Sequence, residues 1–412
     1  MTRPSTMPKG RSLLPTIDIE SVGFDAGAHL LVKLALGRVA VGEVLRVRSQ
    51  GEGWEGPLAA WCRSQGHAVD FDAAAGHIEA RVTRGAVQAG RWRAAAVTGA
   101  IDPRADNAVL PQAEARWGLA ARGATVEAGS PAFAFRLSRK DEVWADSAAT
   151  LYAEAAAAQW NADTAIDWNT AFALPDEVED AVVQVMTYMV ENENAALVVP
   201  ARFLGQLHPH FREVQALLAI QVADEARHID VFTRRIALKG RQPGLSTAGG
   251  QTSLKTLVDE PDFSVAQFLL AVLGEGTFVS LLNFLNQHAP DPVTRQIARL
   301  AARDEARHVA FGMAHLGQSI AREPALLSRL GNAVEARYEH LAGTSGLNEE
   351  VFDALILLAA GGTRPADIAA GYGRVQGLLQ DMARGREARL AKLGFKGEAA
   401  HRLASLHTRN FM

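Results

Sequence analysis

The chain has 412 residues, 48% of them hydrophobic and 21% charged, which suits a globular protein of two domains or one large helical domain with an appendage. A formal net charge of −4 gives no electrostatic basis for capturing nucleic acid or an anionic membrane. A single cysteine, Cys62, excludes a disulfide framework within the chain, and Met1 to Pro15 carry basic residues without an apolar run, so a cytoplasmic protein without a secretory signal is expected.

Ile17-Asp18-Ile19-Glu20 and Glu43-Val44-Leu45-Arg46-Val47-Arg48 alternate polar and apolar residues, the period of half-buried strands. His67 to Phe71 and His77 to Val82 read as two more, while Ala26 to Leu36 and Pro57 to Ser64 have helical spacing. The order strand, helix, strand, helix, strand, strand predicts a small α/β sandwich over residues 1–83. Residues 84–140 are rich in Ala, Gly and Pro without strong periodicity and read as a linking region.

Residues 141–412 read as a mainly α domain. Ala-rich Ser147 to Asn161 forms one helix, and Pro175 opens the next at a favourable first-turn position. That helix carries Met186, Met189, Val190, Glu193, Ala196 and Leu197 along one stripe and is expected to end or kink at Pro200. A third helix spans about His210 to Leu238, and Lys239 to Thr252 reads as a loop. Ser264 to Asn286 and Pro292 to Arg322 supply two more long helices. Leu326–Leu341, Asn348–Ala360 and Ala366–Leu393 supply a further helical layer. The longest apolar stretches, near Leu269–Leu273 and Leu355–Ala360, fall short of the roughly 20 residues of a membrane helix.

Asp224-Glu225-Ala226-Arg227-His228 recurs as Asp304-Glu305-Ala306-Arg307-His308. Residues i and i+3 share a helix face, so each copy offers a carboxylate beside an imidazole. The flanking apolar residues Leu218, Val222, Ile229 and Phe232, and Ala298, Ala301 and Val309, turn both faces inward. Carboxylates buried there would each cost several kcal/mol without a positive partner, and a metal pair is such a partner. Two further glutamates interrupt apolar stripes at matched distances: Glu193, thirty-two residues before Glu225, and Glu275, thirty before Glu305. Glu191 is the alternative to Glu193, but it falls off the stripe. Two Glu-x-x-His helices plus one glutamate from each of two more is the ligand set of di-iron and di-manganese four-helix bundles. The candidate ligands are therefore Glu193, Glu225, His228, Glu275, Glu305 and His308. Asp224 and Asp304 would accept the outer N–H of His308 and His228 respectively, with Arg227 and Arg307 as their partners. His208 and His210 are read as caps or solvent-exposed groups. Trp144, Trp160 and Trp168 are read as packing for the leading helix.

On these motifs the sequence resembles the ferritin-like superfamily over roughly residues 145–320, with a helical tail ending Asn410-Phe411-Met412. It is most similar to the di-metal oxidase and oxygenase branch that includes the ribonucleotide reductase small subunit and p-aminobenzoate N-oxygenase. Two positions depart from those families. Phe232 stands where the reductases carry a radical tyrosine, and Ala301 where the N-oxygenases carry an extra histidine ligand. The resemblance implies two iron ions, or one manganese and one iron, with O2, a small-molecule substrate and an external electron donor as partners. It implies a ferritin-like four-helix core and an oxidase or oxygenase, with homodimerisation expected from oligomer statistics. The alternatives are a ferroxidase, peroxidase or iron-storage protein on the same bundle, and a non-catalytic adaptor stapled by structural metals. Ala271, Gly274, Gly276, Ala301, Ala302 and Gly312 would leave room for O2 and substrate, or equally let the helices pack closely. Over residues 1–83, Gly42 to Val47 and Trp61 to His67 are similar to the TusA-like sulfur-carrier fold. Asp25-Ala26-Gly27 replaces its Cys-Pro pair, and Cys62 is expected as a small buried thiol.

Overall fold

In a computed structural model, the described residues are 14–74, 77–342 and 349–406. Most of Met1 to Pro15 and the terminal Asn410-Phe411-Met412 lie outside them. The chain divides into two compact units, residues 1–98 with 123–131, and residues 99–122 with 132–412. Residues 84–140 are thus shared between the two.

The first unit follows the expected order: β1 Thr16–Asp18, α1 Ala28–Leu36, β2 Val44–Arg48, α2 Glu55–Gln65, β3 Ala68–Ala74 and β4 His77–Thr83. Strand β2 lies between β1, which it pairs in parallel (Ile17 opposite Val47), and β4, which it pairs antiparallel (Val47 opposite Ala80). Strand β3 closes the sheet beside β4. The alternation of β2 and β4 turns Leu45, Val47, Ala80 and Val82 onto one face, where Val32 and Leu36 of α1 and Leu58 and Cys62 of α2 cover them. Burial pushes the Cys62 thiol up to about 11, leaving it un-ionised and inert near neutrality. The short helix α3 Val87–Arg91 and the strand pair β5 Ala96–Val97 and β6 Thr125–Val126 complete this unit.

The second unit is almost wholly helical. After α4 Lys140–Val143, α5 Ala148–Ala157 and α6 Ala162–Ala165 come the long α7 Asp176–Leu204 and α8 Arg212–Ala237, packed as one hairpin. Next is α9 Ala248–Val258. A second hairpin pairs the rod of α10 Phe263–Gln267, a π-helical segment Phe268–Glu275 and α11 Gly276–His288 with α12 Pro292–Arg322. Helices α13 Leu326–Ala342, α14 Glu349–Ala360, α15 Pro365–Leu393 and α16 Gly397–Ser405 form the outer layer. Val182, Met186 and Met189 of α7, Phe232 of α8, Phe278 and Leu282 of α11 and Ile297 of α12 meet in one core, with Leu355 and Leu358 of α14. The architecture is mainly α with a small sheet at the N-terminal end of the sequence.

Several local expectations change. The segment Ser147 to Asn161 breaks at Ala157, because the Asn161 side chain accepts the Asp163 N–H (2.7 Å) and starts a separate turn. Helix α7 runs through Pro200 and ends one turn later at Leu204, so the proline removes one ladder bond without stopping the helix at that residue. Helix α9 begins inside the expected loop. The Thr247 hydroxyl caps it from Gly250 N–H at 3.0 Å, and burial of Gly249, Gly250 and Ser253 outweighs glycine's weak propensity. The rod Phe263–His288 is long and apolar enough to cross a membrane by composition, yet 83% of its most apolar 18 residues are buried within the protein, as suits a core helix. A fully buried Arg235 joins the two hairpins. It donates to both oxygens of Glu179 on α7 (2.6 and 3.0 Å), to Asp291, the N-cap of α12 (3.0 Å), and to Thr294 (2.9 Å).

Candidate metal centre

The two hairpins bring six side chains to one point. Helix α7 supplies Glu193, α8 supplies Glu225 and His228, the π segment ends on Glu275, and α12 supplies Glu305 and His308. None is more than 3% exposed. Glu191 is only half-buried and stands outside the group. The six divide into two quartets of ligand atoms, Glu193, Glu225, His228 and Glu305 on one side and Glu225, Glu275, Glu305 and His308 on the other. Within each, the ligand atoms lie within 4.8 Å of one another.

Glu225 and Glu305 belong to both quartets, and their two oxygens are divided between them. His228 Nδ1 lies 3.1 Å from Glu225 Oε2 and 3.3 Å from Glu305 Oε1, whereas His308 Nδ1 lies 3.0 Å from Glu225 Oε1 and 3.4 Å from Glu305 Oε2. Glu193 reaches only the first imidazole (3.5 Å) and Glu275 only the second (4.0 Å). Each half therefore has one imidazole, one carboxylate of its own and a share in two bridging carboxylates.

Both rings turn Nδ1 inward and Nε2 outward. His228 Nε2 lies 3.2 Å from Asp304 Oδ2, and His308 Nε2 lies 3.4 Å from Asp224 Oδ2, so each aspartate serves the imidazole of the other repeat. An Nε2–H donated outward leaves the Nδ1 lone pair aimed at the centre. Arg227 donates to both aspartates, at 2.8 Å to Asp304, and Arg307 donates to Asp304 and lies 3.6 Å from Asp224. Two aspartates and two arginines thus alternate around a closed ring behind the histidines.

Three further residues support the site: Trp160, which the sequence assigns to packing, and Gln159 and Gln221, which it does not single out. Trp160 Nε1 donates to Asp304 Oδ2 (2.8 Å), its ring stacks near His228 at a 6.5 Å centroid distance, and the Arg227 guanidinium lies over the ring at 4.6 Å from its centroid. Gln159 donates to Asp224 (2.7 Å). No local signal marked either, since both reach the site from far along the chain. Gln221 donates to Glu275 Oε1 (3.0 Å) and was legible in principle, lying one turn before Glu225 on the same inward face. His208 and His210 are buried rather than exposed. The first caps the turn at Pro209 by accepting the His210 N–H, and the second accepts the Leu110 N–H at 2.8 Å. The small residues do not all leave space: Gly276 is covered by the Arg389 guanidinium, and Gly312 receives Ala271.

Burial pushes the Glu193 carboxyl well above its ordinary range, and the charges of Glu225 and Glu305 push it further. Burial likewise raises Glu275, with Glu305 and Glu225 adding to it against the pull of His308. Burial opposes the ionised form of Glu225 too, but His308 and His228 outweigh it and hold that carboxyl low. Both imidazoles are raised despite burial, His228 chiefly through Asp304 and Glu193, His308 chiefly through Glu225 and Asp224. The clustered carboxylates thus raise one another and the imidazoles between them.

Cations would balance the carboxylates. Oxygens of all four glutamates, together with His308 Nδ1, are buried without a hydrogen-bond partner. Four ionised glutamates carry the charge that two divalent ions neutralise, while Asp224 and Asp304 are matched by Arg227 and Arg307. The donor set is carboxylate and imidazole without thiolate, which suits iron or manganese. The residues present fit a metal pair.

No family model and no curated protein matches the chain. Among solved structures it is similar to an R2-like ligand-binding oxidase with an aerobically reconstituted Mn/Fe cofactor. The identity is 18% and the TM-score 0.48, over 60% of this chain and 93% of that one. A substituted form of that oxidase with an aerobically reconstituted Fe/Fe cofactor is similar at 18% identity and TM-score 0.48, over 60% and 92%.

Proposed function

We propose that the chain is a di-metal oxidoreductase, an O2-dependent oxidase or oxygenase holding Fe/Fe or Mn/Fe and acting on a small organic substrate with electrons from an external donor. The observation that carries this reading is the sharing of Glu225 and Glu305 between two otherwise complete quartets, an arrangement that has a use only when two ions sit side by side. Glu193, His228 and the bridging pair would hold one ion, and Glu275, His308 and the bridging pair the other. When bound, such a pair supplies the electrons that reduce O2 and takes electrons from the substrate.

The protein's own contributions follow from its geometry. Asp304 and Asp224 fix the imidazole tautomers so that Nδ1 faces inward, and Arg227 and Arg307 pair with those aspartates from behind. Gln221 orients Glu275 by donating to one of its oxygens. Glu193, Glu225, Glu275 and Glu305 are themselves no more than 3% exposed, which keeps bulk water from the carboxylates. Phe232, fully buried near His228, offers no phenol for a stable radical, which favours oxidation of a bound substrate over radical storage. The likeness to R2-like oxidases supports the reading only in overall architecture.

The test is metal analysis after anaerobic reconstitution with Fe(II) and with Mn(II) plus Fe(II), followed by exposure to O2 in a stopped-flow spectrophotometer. Two metals per chain and an O2-dependent absorption change are expected. Fewer than one metal per chain after reconstitution would sink the proposal, and full loading without any O2 uptake would leave only the structural-metal alternative.

A further inference from the structure

Glu275 stands on the one helix of the four that is not regular. In the segment Phe268–Glu275 the helix widens, and Gly276 N–H reaches back five residues to Ala271 O. Each π turn inserts one extra residue, which rotates everything beyond it by about 100° relative to an uninterrupted α-helix. The position of Glu275 at the metal centre therefore depends on the turn staying wide. Wide turns are poorly stable by themselves and occur where neighbouring groups impose them.

Two neighbours act on this one. On one side Gly312 of α12 makes room: a Cβ there would stand 2.7 Å from Ala271 Cβ and 3.5 Å from Gln267 O. On the other side Arg389, from α15 in the outer layer, donates from Nε to Val272 O at 2.7 Å. Gly276 N–H is engaged at Ala271 O, so the side chain supplies a donor to a carbonyl at the point where the regular ladder is broken. The guanidinium lies flat on Gly276, where a Cβ would stand 2.4 Å from Nε, 2.5 Å from Cζ and 2.8 Å from Nη2. Arg389 Nη2 is buried without a partner, and burial lowers the group to about 10. A cation so placed is a poor general stabiliser, and what it does make is a bond to the widened turn.

We propose that Arg389 is a positioning residue for Glu275: lodged over Gly276 and bonded to Val272 O, it locks the π turn that aims this carboxylate into the second quartet. This rests on the di-metal reading for its consequence, but not for the lock itself.

The experiment uses the full chain in Arg389→Met, Arg389→Lys and Gly276→Ala forms. In the metal-free protein, hydrogen–deuterium exchange over residues 268–277 should rise at least tenfold in Arg389→Met and in Gly276→Ala, whose Cβ evicts the guanidinium. Arg389→Lys, which keeps a donor for Val272 O, should recover part of the protection. Anaerobic titration with Mn(II) alone should show one of two binding steps weakened about 10–100-fold, the usual effect of losing an outer-layer support, and the other changed less than threefold. Unchanged exchange, or equal weakening of both steps, overturns the assignment. If Arg389→Met does not fold, the Arg389→Lys and Gly276→Ala comparison decides it alone. Absence of any Mn(II) binding by the unaltered protein would count against the metal reading, while the exchange result would still judge the lock.

Discussion

Loading the centre with metal should release protons, and the side chains present set an upper bound on how many. Burial and neighbouring carboxylates raise Glu193 and Glu275, and the aspartates and glutamates around them raise His228 and His308, so without metal these four hold a proton more tightly than free side chains do. Glu225 is already ionised and has none to give. Each quartet holds one raised glutamate and one raised histidine as its unshared ligands, so two ions displace up to about four protons. Protons are products of binding, so affinity rises with pH, and the overall two-metal constant should change by up to about four decades per pH unit around pH 7. Calorimetric titration with Mn(II) in two buffers of different protonation heat counts the protons directly. Glu193→Gln removes one titrating ligand and should lower the count by about one. Release of one proton or fewer per metal pair would refute the reasoning, because it would mean that cations other than protons already balance these carboxylates.

Substituting a bridging carboxylate should differ in kind from substituting an unshared one. Glu225→Ala or Glu305→Ala is expected to empty both positions, whereas Glu193→Ala or Glu275→Ala should leave about one metal per chain in elemental analysis. Arg235→Met leaves Glu179 and Asp291 without their cation in the core and should cost about 3–5 kcal/mol in urea denaturation. His315 is fully buried, accepts or donates at Ser264 Oγ (2.9 Å) and Trp144 O (3.1 Å), and burial lowers it to about 4. Its unfolded value lies near 6.5, so below that pH the unfolded chain binds the extra proton. Stability present above pH 6.5 should fall by about 3 kcal/mol as pH drops to 4, and His315→Gln should flatten that part of the curve.

The six clustered side chains could be found in the sequence because each states its place twice, once by chemistry and once by phase. The doubled pentapeptide put Glu225, His228, Glu305 and His308 on inward faces, and Glu193 broke an apolar stripe at a distance matched by Glu275. The outward Nε2 of each histidine was foreseeable for the same reason, since Asp224 and Asp304 precede the ligands by a fixed offset. What escaped was whatever depends on contacts distant in sequence. Trp160 and Gln159 carry no periodic signature, and their partners lie 144 and 65 residues away. The π segment was invisible because Phe268 to Leu273 are apolar on every face, so that one extra residue per turn leaves the pattern unaltered. Part of 84–140 looked like a linker because Trp117, Ala108 and Ala113 are too sparse to show a period, yet they are buried.

The matched quartets have unmatched foundations. Glu193 hangs from the middle of an unbroken α-helix, whereas Glu275 ends a widened one and leans on Gln221. Glu193 is aimed by the regular ladder of its own helix, whereas the aim of Glu275 is set from outside its helix, by the Arg389 side chain on Val272 O and the Gln221 amide. A substitution far from the centre, on α15, should therefore reach one quartet and leave its twin alone.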